Sequence, residues 1–240
     1  MKQLPLDIGL ALEPSFESFR NPGNEAALQA LQTLLDGPHA QGHPPVYLWG
    51  PTGCGKTHLL RATAVQAGER GLRCAWFDAS LPPSWQLEQE PDLLLLDQAE
   101  AWNPAQQQAA FSAFVRTITL GGTVAAAGRW PPVDLPLRED IRTRLGWGLI
   151  VCVQPLGESE ARQVLQADAL RRGLKLGDEA LDYLLRRLQR DLKSLTAVLD
   201  RLDRYALAHQ RPLTVPLIRQ MLEDEGSKRG DTPLVDDSET

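Results

Sequence analysis

One glycine-rich segment holds the residue types best suited to binding phosphate groups. Residues 50–57 read Gly-Pro-Thr-Gly-Cys-Gly-Lys-Thr, which matches the pattern G-x-x-x-x-G-K-[ST] at every fixed position. In such a loop the backbone N–H groups face a β-phosphate, Lys56 reaches the β- and γ-oxygens, and the Thr57 hydroxyl is a ligand for Mg²⁺. The sequence therefore predicts a nucleotide site formed by Gly50, Pro51, Thr52, Gly53, Cys54, Gly55, Lys56, Thr57 and the adjoining His58.

A carboxylate follows a run of four leucines, Leu93–Leu96, about 40 residues beyond this loop. An aspartate at the end of a buried strand can hold the shell of a bound Mg²⁺ through water, and we assign this role to Asp97. The alternative is an ordinary turn or helix cap. The next residue is Gln98, an amide that can orient water but cannot accept its proton at neutral pH. We therefore expect weak intrinsic hydrolysis, with Glu100 as the nearest substitute base.

Uninterrupted apolar runs alternate with segments of helix length through the larger part of the chain. Such runs are typical of parallel strands covered on both faces, because neither face meets water. Helices are indicated from Asn24, the predicted N-cap, to Leu35 and from Lys56 to about Glu69. The predicted strands are Val46–Gly50, Arg73–Asp78, Leu93–Leu96, Thr123–Ala127 and Leu149–Val153. The pattern predicts an α/β domain with a five-stranded parallel sheet over residues 24–155.

After Pro155 the periodicity is that of helices alone. The helical segments are near residues 158–172, 178–190, 193–209 and 215–223. We therefore predict a small helical domain over residues 156–224. Residues 225–240 are polar and acidic without periodicity, and are interpreted as a disordered tail. Residues 1–23 contain prolines and no periodic pattern, and are predicted to be a terminal peptide and linker.

Composition excludes several classes of function. Lys and Arg number 25 against 31 Asp and Glu, a net charge of −6, so no global field draws the chain to nucleic acid or anionic lipid. No apolar run reaches the roughly 18 residues of a membrane helix, and the amino-terminal segment does not read as an export signal. The 3 cysteines form neither a C-x-x-C pair nor a cluster with histidine. We expect a cytoplasmic protein without a membrane span, a disulfide framework or a zinc site.

The segment 137–148 carries a third recognisable pattern. It reads Leu-Arg-Glu-Asp-Ile-Arg-Thr-Arg-Leu-Gly-Trp-Gly and precedes an apolar strand and Gln154-Pro155. Together with the phosphate loop and Asp97, it resembles the AAA+ family of the bacterial replication initiator DnaA, from about Pro14 to Glu223. The resemblance implies a P-loop AAA+ domain followed by a helical lid domain, with ADP or ATP and Mg²⁺ as cofactors.

The same resemblance assigns a function to Arg144. In the family, the corresponding arginine reaches across a subunit boundary to the γ-phosphate of a neighbour's ATP, and a finger supplied in trans raises hydrolysis by about a thousandfold or more. Arg142 is a second candidate for contact at this interface. From the residues alone, the alternative for Arg144 is a surface side chain in an ion pair with Glu139 or Asp140.

Other positions take roles by resemblance. Lys193 stands where the family usually has a lid arginine, called sensor 2; lysine lacks the bidentate fork, and the alternative is a solvated helix charge. Gly128 stands where a polar residue, called sensor 1, is usual. Phe16 and Phe19 match the segment beside adenine, although paired aromatic residues also suit a core.

Three features favour the regulatory paralogues of DnaA over the initiator itself. No helix-turn-helix domain is predicted after the lid, so direct sequence-specific DNA binding is not expected, and no interaction domain is predicted before the AAA+ domain. Gln3, Leu4 and Leu6 resemble the Q-L-x-L motif with which such paralogues dock on the replicative sliding clamp, the β subunit of DNA polymerase III. An extended peptide can place the glutamine on a polar pocket and the leucines in an apolar one. The alternative is that this segment packs on its own domain.

The resemblance thus implies a regulator that, bound to ADP and docked on the DNA-loaded clamp, stimulates hydrolysis of DnaA-bound ATP and inactivates the initiator. Its own ATPase is expected to be weak at most, and the family relationship allows a homo-oligomer. One alternative is an AAA+ adaptor or loader of the DnaC-like or transposition type, which acts through nucleotide-dependent protein and DNA contacts. Another is a self-sufficient ATPase or small-molecule kinase, which requires a catalytic base near the γ-phosphate.

Overall fold

The computed structural model describes residues 14–19, 21–36, 43–82, 85–87, 89–187, 198–205 and 215–228. The chain divides into two compact units, Met1–Pro155 and Leu156–Thr240. The residues assigned to clamp binding, Gln3, Leu4 and Leu6, lie outside the described residues, as does Lys193 of the predicted lid.

The first unit alternates strands and helices along the chain. Short 3₁₀ helices at Ala99–Ala101 and Pro132–Asp134 follow the third and fourth strands. The elements are α1 (Glu25–Thr33), β1 (Val46–Trp49), α2 (Lys56–Glu69), β2 (Cys74–Phe77), β3 (Leu93–Leu96), α3 (Pro104–Thr119), β4 (Thr123–Gly128), α4 (Glu139–Leu145) and β5 (Leu149–Cys152).

The strands form one parallel sheet in the order β2-β3-β4-β1-β5, which confirms the predicted five-stranded α/β fold. Val46 of β1 pairs with Ala125 of β4 on one side and with Leu149 of β5 on the other. In sheets of this type, ligands bind outside the carboxyl ends of the strands. The phosphate loop begins directly after the carboxyl end of β1, at that edge.

Apolar cores on both faces of the sheet explain the uninterrupted apolar strands. Successive residues of a strand point to opposite faces. Leu93 and Leu95 of β3 join a core with residues of α1 and α2, and Leu94 and Leu96 join the other core with residues of α3 and α4. The run of leucines is therefore needed on both faces.

The edge strand β5 departs from the expectation of burial on both faces. Leu149 and Ile150 are 48% and 45% exposed, whereas every residue of β3 and β4 is buried. Because β5 lies at the edge of the sheet, no further strand covers its outer side. An apolar run predicts a strand, but only the strand order determines whether that strand is central.

Two asparagines begin helices in different ways. Asn103 forms a capping box with Gln106 at the start of α3, in which each side chain accepts a hydrogen bond from the other residue's backbone N–H. Asn24 stands at the predicted N-cap position of α1, but its side chain makes no cap bond. Instead it accepts from the backbone N–H of Gln154, at 2.8 Å, and donates to Asn21. Asn24 therefore fixes the exit of β5 to the start of α1.

The second unit is helical throughout its described residues. It contains α5 (Glu158–Arg171), α6 (Asp178–Arg187), α7 (residues 198–205) and α8 (Val215–Lys228). Their apolar faces meet in one core that includes Leu165, Leu181, Leu184, Leu202 and Ile218. The prediction that an aperiodic tail starts at residue 225 is wrong, because helix α8 continues to Lys228. Helical backbone hydrogen bonds can form without the apolar periodicity on which the prediction was based.

No helix in the described part of the chain combines the length and apolarity needed to cross a membrane.

Candidate functional site

The phosphate-binding pattern forms the turn between β1 and α2. This turn places Gly50, Gly53 and Gly55 at positive φ, at 154°, 82° and 107°. Gly55 also passes so close to Phe19 that a Cβ at residue 55 would lie 2.5 Å from the ring. A side chain there would be strained and would collide with the core, which is why the pattern needs glycine at this position.

The start of α2 provides positive charge beside the turn. The first N–H groups of a helix lack acceptors within the helix and attract anions. The Lys56 ammonium donates to the carbonyl oxygens of Gly50 and Pro51, at 2.7 and 2.9 Å. The ammonium thus lies against the turn, where phosphate oxygens can replace these carbonyls as acceptors. This set of donors fits the phosphates of a nucleotide.

The hydroxyl of Thr57 and the carboxylate of Asp97 meet at the end of β3. Thr57 Oγ1 donates to Asp97 Oδ2 at 2.6 Å, and the backbone N–H of Gln98 donates to Asp97 Oδ1 at 2.9 Å. Burial raises the pKa of Asp97 above its ordinary value, although these two hydrogen bonds and the charge of Lys56 oppose the rise. A Mg²⁺ ion held by the Thr57 hydroxyl would have this carboxylate next to it, as the sequence predicts.

The residues beyond Asp97 are arranged unfavourably for accepting a proton from water. Gln98 is exposed and is the one non-glycine residue at positive φ in the described part of the chain, with φ 56°. Glu100, the substitute base suggested by the sequence, accepts a hydrogen bond from the backbone N–H of Arg129 at 2.9 Å. This bond ties one oxygen of the Glu100 carboxylate, Oε2, to the residue that follows β4.

A tyrosine from β1 occupies the space where a side chain at residue 128 would stand. A Cβ on Gly128 would lie 2.1 Å from Tyr47 Oη. The Tyr47 hydroxyl donates to the carbonyl oxygen of Trp130 at 2.9 Å, and burial raises its pKa far above the usual value, so the hydroxyl remains a donor. The sequence did not predict this role of Tyr47. The one sign of it is a polar hydroxyl group within a strand of otherwise apolar character.

Aromatic residues before α1 pack beside the phosphate loop. The Phe19 ring is stacked on His58, with centroids 6.0 Å apart, and Phe16 is half-buried against the same core. Nε2 of His58 lies 3.1 Å from both Ser18 Oγ and the Ser15 carbonyl oxygen. Burial lowers the pKa of His58, which favours the neutral ring. Phe19 therefore belongs to the core, while Phe16 keeps an exposed side next to it.

Arg144 lies in the last turn of α4 with its side chain exposed. Its guanidinium carbon is 5.6 Å from the ring centroid of Trp147. The ion pair considered as an alternative is not formed: Asp140 pairs with Arg138 at 2.6 Å, and Arg144 makes no ion pair with any described residue. Arg142, in the same turn, is half-buried.

The sheet register separates Arg144 from the chain's own phosphate loop. Leu149, the first residue of β5, pairs with Val46, the first residue of β1, and the loop follows the last residue of β1, Trp49. A strand of this length spans about 10 Å. Because Arg144 precedes β5 and the loop follows β1, the two lie toward opposite ends of this strand pair.

Each of the two units contains a segment that matches a family model. Residues 10–79 match the bacterial DnaA ATPase domain, and residues 158–222 match the lid domain of Hda.

Solved structures share the fold. Domain III of the DnaA replication initiation protein from Thermotoga maritima has a TM-score of 0.73 at 20% identity, over 92% of this chain and 98% of that chain. AMPPCP-bound DnaA from Aquifex aeolicus has a TM-score of 0.66 at 20% identity, over 88% and 67%. The Holliday junction branch migration motor RuvB from Thermotoga maritima has a TM-score of 0.65 at 18% identity, over 88% and 72%.

The parallel sheet, the phosphate loop with its facing aspartate and the helical second unit define a P-loop AAA+ protein. Within that class, the match of one unit to DnaA and of the other to the Hda lid makes this chain an Hda-like, DnaA-related AAA+ protein.

Replacing Lys56 by alanine is expected to weaken ADP binding about 10- to 150-fold, because a charge-assisted hydrogen bond to phosphate is lost. Titration with a fluorescent ADP analogue measures this. Lys175→Ala, at an exposed lysine of the second unit, is the matched control and should bind as wild type does. Equal affinities for both variants would show that the loop lysine does not hold the nucleotide.

The contact between Gly128 and Tyr47 predicts a coupled effect on stability. Gly128→Ala should lower the free energy of unfolding by about 1–3 kcal/mol, because the added Cβ overpacks the site. Tyr47→Phe removes the nearest atom, so the double variant should lose less than the sum of the single losses in urea unfolding. Gly68→Ala in α2, where a Cβ meets nothing within 4 Å, is the control and should not destabilise the protein. Additive losses would contradict the packing.

Proposed function

We propose that this chain is a DnaA-related regulator of bacterial replication initiation that stimulates hydrolysis of DnaA-bound ATP. In this proposal it carries ADP and docks on the DNA-loaded sliding clamp. The observation that carries the proposal is the placement of Arg144: it is exposed, it has no ion-pair partner among the described residues, and it lies away from the chain's own phosphate loop. An arginine so placed suits a phosphate on another molecule.

The chain's own site supports a role as holder of nucleotide. Lys56, Thr57 and the start of α2 suit the phosphates of ADP, with Thr57 and Asp97 on the magnesium side. A bound nucleotide with Mg²⁺ would supply phosphate oxygens as acceptors for Lys56 and for the first N–H groups of α2. The side chain adjacent to Asp97 is the amide of Gln98, which cannot accept a proton from water at neutral pH, and Oε2 of Glu100 accepts a hydrogen bond from the backbone N–H of Arg129. Weak intrinsic turnover follows.

Arg144 is proposed to act on ATP held by DnaA. Phosphoryl transfer spreads negative charge over the γ-phosphate oxygens, and a guanidinium group offers them planar N–H donors with a permanent charge. Arg142 is proposed to contact the same partner. Lys193 is proposed to face the phosphates of this chain's own nucleotide from the lid, and His58 and Phe16 to border its adenine side.

Clamp docking explains how an acidic protein can work beside DNA. With a net charge of −6, the chain is not drawn to the phosphate backbone by its own field. Binding of Gln3, Leu4 and Leu6 to a clamp already on DNA would raise the local concentration of Arg144 near DnaA without any DNA contact.

Arg144→Ala tests the central step. With clamp-loaded DNA and ATP-bound DnaA, we expect the wild-type protein to stimulate phosphate release and the variant to lose about a thousandfold or more of that stimulation. Arg116→Ala, which removes an exposed arginine paired with Glu90, is the matched control and should keep the stimulated rate. Both variants should retain ADP. Stimulation by Arg144→Ala at the wild-type rate would refute the proposed function.

The amino-terminal motif has a separate test. Leu4→Ala together with Leu6→Ala should abolish capture of the protein by immobilised clamp while ADP binding stays unchanged, because the apolar anchors of the peptide are lost. Lys2→Ala changes a neighbouring residue outside Gln3-Leu4-x-Leu6 and should leave capture intact. Clamp capture by the double leucine variant would discard this part of the proposal and leave the role of Arg144 standing.

A further inference from the structure

Arg144 contacts an unusually exposed tryptophan. Its guanidinium carbon lies 5.6 Å from the ring centroid of Trp147, within the range of a cation–π interaction, and Trp147 is 61% exposed. Arg144 forms no ion pair with a described carboxylate, and the nearby Asp140 is paired with Arg138. The ring of Trp147 is therefore the contact that orders its guanidinium group.

The main chain of Trp147 is held firmly where α4 ends. The backbone N–H of Trp147 donates to the Arg144 carbonyl oxygen at 3.2 Å, which closes the last turn. The next residue, Gly148, passes so close to Pro45 that a Cβ would lie 1.9 Å from the Pro45 carbonyl oxygen. That oxygen accepts from the N–H of Leu149 at 2.8 Å. The backbone that carries the Trp147 indole is therefore held in place by its packing and hydrogen bond to Pro45, the residue before β1.

We propose that Trp147 is a positioning residue for Arg144: its ring holds the guanidinium extended from the end of α4 in the orientation that the partner's phosphate requires. This inference rests on the proposed function. An arginine side chain loses considerable rotamer freedom when it is ordered, and a ring fixed next to it removes part of that freedom before the partner binds.

The ring suits this role better than a carboxylate would. An ion pair occupies the N–H donors of the guanidinium and cancels its charge. Contact with the face of an aromatic ring leaves the donors at the guanidinium edge available for phosphate oxygens and leaves the positive charge in place. Trp147 thus orders the Arg144 side chain, while the N–H donors and the positive charge of the guanidinium group stay available for the phosphate.

Kinetics of stimulated hydrolysis distinguish positioning from simple apolar contact. ADP-bound variants are titrated against ATP-bound DnaA on clamp-loaded DNA, which gives a maximal rate and a half-saturating concentration. Trp147→Leu keeps an apolar side chain but lacks a ring, and we expect its maximal rate to fall about 5- to 30-fold. Trp147→Phe keeps a ring face and should recover most of that rate. Leu120→Ala, at an exposed leucine after α3, is the control and should match wild type.

A second measurement examines the contact without any partner. The indole N–H resonance of Trp147, identified by its absence in Trp147→Phe, should shift in Arg144→Ala. Arg142→Ala removes an arginine from the same helical turn and should leave the resonance in place, because only Arg144 contacts this ring among the described cation–π pairs.

The outcomes separate the two proposals. Loss of stimulation in Arg144→Ala with an unchanged maximal rate in Trp147→Leu overturns the inference and leaves the proposed function intact. A change confined to the half-saturating concentration, or equal losses in Trp147→Leu and Trp147→Phe, also overturns it, since both indicate contact without orientation. No stimulation by the wild-type protein defeats the proposed function, and the positioning role with it. An unshifted indole resonance in Arg144→Ala overturns the inference independently of DnaA.

Discussion

The parallel pairing of β1 with β4 and β5 is the constraint on which the other features depend. Because all strands run in one direction, the phosphate loop after β1, Asp97 after β3 and Gly128 at the end of β4 arrive at the same edge of the sheet. The same pairing requires the chain to return to the opposite edge before β5 begins. The helix α4 makes that return, and it therefore delivers Arg144 away from the chain's own loop.

At the edge of the sheet that carries the phosphate loop, polar side chains form hydrogen bonds to the chain's own backbone. Glu100 is bonded to the N–H of Arg129 and Tyr47 to the carbonyl oxygen of Trp130, so the segment after β4 is held from two sides. Among the described side chains at this edge, Thr57 and Asp97 are the pair that suits a metal ion. These hydrogen bonds stabilise the segment after β4, and the side chain next to Asp97 is the amide of Gln98, which cannot accept a proton from water at neutral pH. Toward the opposite edge of the sheet, the guanidinium group of Arg144 contacts the ring of Trp147, so its N–H donors and its positive charge are not used in an ion pair.

The local features of the molecule could be predicted from the sequence to a large extent. The loop at 50–57, the strands and the aspartate after β3 depend on residue types at short spacing, and the structure places them as expected. Longer-range features could not be predicted in this way. The bond from Tyr47 to Trp130 spans 83 residues and that from Arg129 to Glu100 spans 29, and no short pattern records either of them.

Sequence alone determined a glycine-rich turn of the phosphate-binding pattern, the alternation of strands and helices, and the helical character of the second unit, because periodicity and backbone sterics act between near neighbours. Tertiary structure alone decided that β5 is an exposed edge strand, that Tyr47 fills the space above Gly128, and that Arg144 stands clear of carboxylates beside Trp147. These outcomes depend on strand order and on which side chains meet across the sheet. Both are fixed by packing between residues far apart in the chain, and periodicity carries no record of such contacts.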